Sequence, residues 1–199
     1  MYLSKLSLYS GFPGKMLAKD FGSFYSMHQT LWRAFPQPPG RVMFRAERDH
    51  VLVQSDLQPD WKFLDSIPCY ADSVQVKNFD LEFVEGQVLL FRLRANPKKN
   101  VYDNNGKKQR LGILGEKECL DWLKYKGEIG GFSLLEVMMT RCGAIWKVEK
   151  PKKITLAVAQ FDGYLKVTDP QLFAQTIQHG LGGGKSFGVG LISVASAEG

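Results

Sequence analysis

The sequence predicts an α+β protein built on antiparallel sheets. Three observations carry that expectation. Most segments alternate apolar and polar residues at the two-residue period of a strand. A few instead repeat apolar residues at helical spacing. Glycine, proline and Asp-Gly pairs separate them at short intervals.

Met1 to Tyr9 alternates around Tyr2, Leu3, Leu6 and Leu8 and is predicted as the first strand. Gly11, Pro13, Gly14 and Gly22 make a loop of Phe12 to Gly22. Ser23 to Phe35 is predicted as a helix, with Ser23 as its cap and Phe24, Met27, Leu31 and Phe35 as its stripe. Pro36, Pro38, Pro39 and Gly40 stop it. Arg41 to Glu47 and His50 to Asp56 form two strands turning at Arg48-Asp49, and a short helix is expected over Pro59 to Ile67. Tyr70 to Phe83 and Gln87 to Ala95 are strand-like, with Glu85-Gly86 as the turn between them. This order, β-α-β-β-α-β, is the ferredoxin-like pattern.

The polar segment Asn96 to Gly112 follows and is expected to be a linker or an ordered basic loop. Gly115 to Lys126 is predicted helical, with Leu120 and Leu123 on one side. Phe132 to Lys147 and Lys152 to Gln160 are apolar and strand-like, and Asp162-Gly163 predicts a hairpin to Tyr164–Val167. Asp169 caps a helix that has Pro170 at its first position and runs to His179. Gly180 ends it, and Val189 to Val194 is a last strand. The expected organisation is a first domain over residues 1–95, a basic linker over 96–114 and a second domain over 115–199.

A chain of 199 residues, 44% hydrophobic and 12% aromatic, has the material for a core, which excludes wholesale disorder. No run reaches the roughly 20 apolar residues of a membrane helix, and Met1 to Ser10 has no signal-peptide pattern. Cys69, Cys119 and Cys142 are scattered and odd in number, as in a reducing cytosol. A soluble, cytoplasmic protein is expected.

The net charge of +6 is unevenly placed. Residues 1–86 hold 9 basic and 10 acidic side chains, and residues 87–199 hold 17 and 10. Arg92 to Arg110 has seven basic residues and one acid, and Lys147 to Lys153 has four and one. Such clusters fit a polyanion partner or, equally, a solvated charged loop.

Four features could carry chemistry. His28 follows Tyr25 by three positions, so the two side chains neighbour each other on the predicted helix. A partly buried imidazole beside a phenol can exchange protons near neutrality. On the residues alone, His28 reads first as a packing histidine. Gly180 to Gly190 holds six glycines in eleven residues, with Lys185 and Ser186 among them. It is not a P-loop, because His179 stands where the motif needs glycine and a helix precedes the loop where a strand should. A flexible loop whose N–H groups and Lys185 approach a phosphate backbone fits better than a plain connector. In Phe91 to Lys99, alternation puts Arg92 and Arg94 opposite Phe91 and Leu93, with Lys98 and Lys99 beyond. This reads as a basic stripe or as charged gatekeepers on an exposed strand. Lys147, Lys150, Lys152 and Lys153 form a cationic segment leading into a strand. The three histidines (His28, His50, His179) and the cysteines have no metal-site spacing, so neither metal nor cofactor is expected.

The N-terminal Met-Tyr-Leu-Ser-Lys, the set Tyr25-x-x-His28-Gln29-x-Leu31-Trp32, the run Phe91-Arg-Leu-Arg-Ala-Asn-Pro-Lys-Lys99 and the run Gly182-Gly-Gly-Lys-Ser-Phe-Gly-Val-Gly-Leu-Ile-Ser193 occur in this order. Together they resemble the CasE family, the CRISPR-associated endoribonucleases that process precursor CRISPR RNA in the type I-E Cascade complex. The resemblance is sharpest at these motifs and weak over Gln58 to Glu85 and Asp103 to Gly131. It implies two tandem ferredoxin-like (RRM-like) domains. It also implies binding of the CRISPR repeat stem-loop and cleavage at the 3′ base of the stem, leaving 5′-hydroxyl and 2′,3′-cyclic phosphate ends. The implied catalytic residues are His28 and Tyr25. Gly182, Gly183, Gly184, Lys185 and Ser186 of the glycine-rich loop would contact RNA, as would Arg92, Arg94, Lys98, Lys99, Lys147, Lys150, Lys152 and Lys153. The family's groove-entering basic hairpin corresponds to the region Lys147 to Lys166. The implied partners are repeat RNA and other Cascade subunits, with no membrane and no directly bound DNA. The alternatives are a non-catalytic RNA-binding subunit of the same fold and a scaffold with a basic face.

Overall fold

The computed structural model describes residues 1–8, 24–38, 40–66, 70–148 and 154–197. The predicted loop of Phe12 to Gly22, the Ser23 cap, and Cys69, Lys150, Lys152 and Lys153 lie outside the described residues. The chain divides into two compact units, Met1–Leu81 with Lys185–Gly188, and Glu82–Gly184 with Val189–Gly199.

In the first unit, β1 (Tyr2–Leu8) runs between β3 (His50–Ser55) and β4 (Tyr70–Asn78), and β2 (Val42–Ala46) lies outside β3, giving the order β2-β3-β1-β4. All pairings are antiparallel, with Leu6 opposite Val51 on one side and Val74 on the other. Helix α1 (Phe24–Trp32) buries Met27 and Leu31, spaced four apart, in a core with Leu6, Phe44, Val51 and Val53. Its end tightens into three-residue-spaced bonds from Arg33, Ala34 and Phe35, so the helix closes just before Pro36. A short 3₁₀ helix (Lys62–Ser66) brings Leu64 to this core beside Trp61. The Trp61 indole donates to Ser4 Oγ at 3.1 Å, so both groups are buried with a partner.

In the second unit, β5 (Val88–Ala95) is central, with β10 (Ile192–Ser196) on one side and β9 (Ile154–Val167) then β8 (Phe132–Val148) on the other. Leu89, Phe91, Leu93 and Ala95 are buried, as the two-residue period requires. They share the core with Phe161, Leu165, Leu123 of α2 (Glu116–Glu128), and Phe173 and Ile177 of α3 (Pro170–His179). Phe173 meets Phe132 and Phe83 edge-on at 5.7 and 4.7 Å. As expected, Asp169 caps α3, accepting from the Leu172 N–H at 2.9 Å, with Pro170 behind it and Gly180 at its end.

The two units share one topology. In each, the first and third strands are central and the fourth and second lie at the edges. Each is thus a ferredoxin-like βαββαβ unit. In the first, the Lys62–Ser66 turn stands where the second helix belongs.

Three expectations change. Val88–Ala95 joins the second sheet, so the division falls after Leu81 rather than after Ala95. The reason lies at Gly86: its N–H donates to Val167 O at 2.8 Å, and the Val167 N–H donates to Gln87 O at 2.9 Å. The turn is thereby tied to the end of β9 and does not fold β5 back onto β4.

Of the two expectations for Asn96 to Gly112, a linker or an ordered basic loop, the second is nearer: the segment is a two-stranded hairpin, β6 (Lys98–Tyr102) with β7 (Lys108–Gly112). Asp103 Oδ1 organises its turn by accepting from the Asn105 and Lys107 N–H groups at 3.0 and 2.9 Å.

Asp162-Gly163 makes no hairpin, because β9 runs through it. Gly163 is required there by close packing, since a Cβ would strike the Glu136 carbonyl oxygen across the strand pair. The register shift between Leu134 and Glu136 accompanies that approach. The β8–β9 pair extends to Val148↔Ile154, and residues 149–153 lie outside the described residues.

Candidate active site and nucleic-acid interface

His28 sits in the last turn and a half of α1. Its ring centroid is 5.3 Å from that of Trp32, one turn on, and 6.4 Å from that of Phe44 on β2, nearly parallel to it. The side chain is half-buried, and burial holds its pKa below the usual histidine value. Its Nδ1 is buried and meets no hydrogen-bond partner among the described residues. Burial therefore favours the neutral imidazole. Tyr25 occupies the helical position three residues earlier, and its side chain lies outside the described residues.

The glycine-rich loop contributes to the same unit. Its Lys185–Phe187 segment forms a 3₁₀ turn that lies beside α1 and β2. Gly188 N–H closes the turn on Lys185 O at 3.2 Å. Lys185 and Ser186 are thus carried next to the helix bearing His28, about 155 positions away in sequence. This juxtaposition is the central feature of the first unit.

The rest of the loop belongs to the second unit. Gly182 and Gly183 line a cavity of about 420 Å³ with Asn96, Lys98, Trp122 and Lys126. Asn100 and Arg110, paired across the β6–β7 hairpin, complete its wall. Gly182 has φ +77, and a Cβ there would meet the Trp122 ring at 3.3 Å. Asn96 is buried with neither its Oδ1 nor its Nδ2 bonded among the described residues. Such a group costs about 1–3 kcal/mol when left unpaired. Of the residues singled out from sequence, Lys98, Gly182 and Gly183 meet at this cavity, whereas Asn96, Arg110, Trp122 and Lys126 were not expected there. A signal for Trp122 and Lys126 did exist in their four-residue spacing on the predicted helix.

Arg92 and Arg94 do not form a free basic stripe. Arg92, half-exposed, is ion-paired with Asp162 directly opposite on β9. Arg94 is only 5% exposed, and its Nη2 and Nε donate to Gln160 Oε1 at 2.9 and 3.2 Å. Gln160 and Thr140 in turn donate to Asp162 at 3.2 and 3.4 Å. Neighbouring β9 supplies an acceptor at each arginine's register position, a carboxylate for Arg92 and a carboxamide for Arg94. Gly184, at φ +90, packs near Leu156 and Val189. Lys99 is exposed on β6. Lys147 pairs with Thr155 in the backbone register, and its side chain lies outside the described residues.

The other histidines are engaged locally, His50 Nδ1 with Asp49 at 2.8 Å and His179 Nδ1 with the Gln175 carbonyl at 2.8 Å. Among the described residues no group of three His, Cys, Asp or Glu side chains could hold a metal ion. No helix among them is long and apolar enough to cross a membrane.

Two ferredoxin-like units in one chain define a tandem α+β protein with a half-buried histidine on one unit and a cavity lined by lysine and arginine on the other. Over residues 1–196 the chain matches a family model described as "CRISPR associated protein". It is 34% identical to the CRISPR-associated endoribonuclease Cse3 of Thermus thermophilus, covering 98% of this chain and 100% of that protein. It is 30% identical to the CRISPR system Cascade subunit CasE of Escherichia coli, covering 98% and 99%. The fold superposes on Thermus thermophilus Cse3 bound to an RNA representing a pre-cleavage complex, with a TM-score of 0.81, 34% identity and 98% of each chain covered. The chain belongs to the CasE (Cse3) family of CRISPR-associated proteins.

Proposed function

We propose that this chain is an endoribonuclease that binds the stem-loop of CRISPR repeat RNA and cuts the precursor at the 3′ base of the stem. It acts in the cytoplasm, where that RNA is transcribed, and works beside other Cascade subunits. The likeness to an endoribonuclease, a Cascade subunit and an RNA-bound pre-cleavage structure supports this reading.

The chemistry is carried by one observation: a half-buried His28 with lowered pKa, next to the turn holding Lys185 and Ser186. RNA brings its own nucleophile. The 2′-oxygen attacks the adjacent phosphorus, the O2′–P bond forms and the P–O5′ bond breaks. The products are a 2′,3′-cyclic phosphate and a 5′-hydroxyl. One proton must leave the 2′-OH and one must reach O5′. A neutral imidazole with Nδ1 buried favours the first role, taking the 2′-OH proton at Nε2. Tyr25 orients the ribose or supports the charged phosphorane, and Lys185 neutralises a phosphate oxygen. Lys98 and Lys99, with the lysines of 147–153, hold the stem. Each part of this reaction is supplied by RNA or side chains, so no metal is required.

The test is cleavage of the cognate repeat hairpin in excess EDTA by wild type and His28→Ala. Wild type cuts, and the variant binds but loses about 10²- to 10⁴-fold in rate. Equal rates would remove His28 from the mechanism. Binding by wild type without any cleavage would make the chain an RNA-binding subunit only.

A further inference from the structure

We propose that Asn96 is a positioning residue of the RNA-processing reaction. When repeat RNA binds, its buried carboxamide bonds the backbone of the glycine-rich loop at Gly183 and Gly184, and so fixes where Lys185 stands. This rests on the reading of the chain as an RNA-processing enzyme. It adds a residue that acts through Lys185 without touching RNA itself.

The surroundings of Asn96 are fixed. It follows the last residue of β5 and precedes Pro97, which disfavours any but an extended backbone at Asn96. The Ile113 N–H donates to Pro97 O at 3.0 Å, and the Gly190 N–H donates to Arg94 O at 2.7 Å. The Leu181 N–H in turn donates to Gly190 O at 2.9 Å. The glycine-rich loop is thus tied at its base beside Asn96. Gly182, Gly183 and Gly184 then lead from that base to the turn that carries Lys185.

The Asn96 side chain packs under these glycines: a Cβ on Gly184 would lie 3.6 Å from Asn96 Nδ2. The residue is 1% exposed, and neither end of its carboxamide has a partner among the described residues. That is a costly state for a group closed to water. The Gly183 and Gly184 N–H groups make no backbone hydrogen bond among the described residues either. The donor and acceptor of a carboxamide match the C=O and N–H of a peptide. Unpaired groups on both sides of one contact mark bonds that a small movement of the loop would make. Glycine at φ +77 and +90 gives the loop the torsional freedom for that movement. Lys185 follows Gly184 directly, so a peptide pinned there sets the start of its turn.

The experiment measures binding of the cognate repeat hairpin by the full-length wild type, Asn96→Leu, Lys185→Ala and the double variant. Leucine matches the size of asparagine and has no polar side-chain atom. In the free protein Asn96→Leu unfolds at the same or a higher urea concentration, because it removes groups that have no partner there. It nonetheless loses about fivefold or more in RNA affinity. Its slope of log K against log salt flattens by about 1, as for Lys185→Ala. In the Lys185→Ala background the same change costs less than about twofold, because both substitutions remove one contact.

Additive losses in the double variant overturn the proposal, as does wild-type affinity in Asn96→Leu. A lower urea midpoint for Asn96→Leu also overturns it, because the carboxamide would then be bonded before RNA arrives. Wild type that binds no hairpin removes the RNA-processing reading and this proposal with it. The same cycle run on His28→Ala shows the same coupling, so the loop and the cleavage chemistry are judged separately.

Discussion

His28 lies nearly parallel to Phe44, 28° between ring planes and 6.4 Å between centroids. An aromatic wall of this kind removes water from the imidazole without giving it a counter-charge, so the neutral form is favoured. If His28 is the base, single-turnover cleavage rises with pH, with its midpoint below the ordinary value of 6.5, and is level at neutrality. Trp32→Ala opens one side of the ring and moves the midpoint up toward 6.5. The same shift affects stability. Below pH 6.5 the unfolded chain binds a proton that the folded chain resists, so stability falls as pH drops through that range. Rate–pH profiles of both proteins check the first claim, and urea midpoints at pH 5.5 and 7.5 check the second.

Gly182 and Gly183 are neighbours with opposite requirements. Gly182→Ala puts a Cβ on a left-handed backbone against Trp122, for a loss of about 1–2 kcal/mol. Gly183→Ala adds a methyl to open space and leaves stability within about 0.5 kcal/mol. Denaturant unfolding of the two variants measures the contrast.

Arg94 and Arg92 separate in the same way. Arg94→Ala strips the buried Gln160 Oε1 of its donor and costs about 1.5–3 kcal/mol. Arg92→Ala removes a more exposed pair and costs under about 1 kcal/mol. If Arg92 also reaches RNA, its variant loses affinity at unchanged stability. Unfolding curves and RNA binding, measured side by side, decide this.

Lys185 is expected to act as a phosphate contact. Lys185→Ala lowers affinity for repeat RNA and flattens the slope of log K against log salt by about 1. An unchanged slope would mean that the lysine serves the turn and not the ligand.

The sequence was legible where local chemistry decides the outcome. Asp169-Pro170 and Gly180 bracket α3, and Met27 and Leu31 mark the buried side of α1. It was not legible where distant partners decide. Alternation marks Val88–Ala95 as a strand, but nothing local says that Phe91 pairs with Gly163 rather than with β4. Asp162-Gly163 has turn chemistry, yet its glycine answers to Glu136 across the strand pair. The motif residues His28, Lys185 and Gly182 could be singled out from sequence. The cavity could not, because Asn96, Arg110 and Trp122 come from three separate segments that only the fold assembles. Arg94 shows the reverse error: a charge read as surface is a buried donor whose acceptor lies 66 positions away.

The first unit is discontinuous, since it takes Lys185–Gly188 from near the end of the chain. During synthesis, residues 1–81 leave the ribosome long before that segment exists. At about 5–20 residues per second, the gap of some hundred residues lasts about 5–20 seconds. Throughout it, the helix bearing His28 lacks the lysine beside it. A nascent chain of residues 1–184 therefore holds the first unit unfinished, and its fold closes only once Lys185–Gly188 has been made.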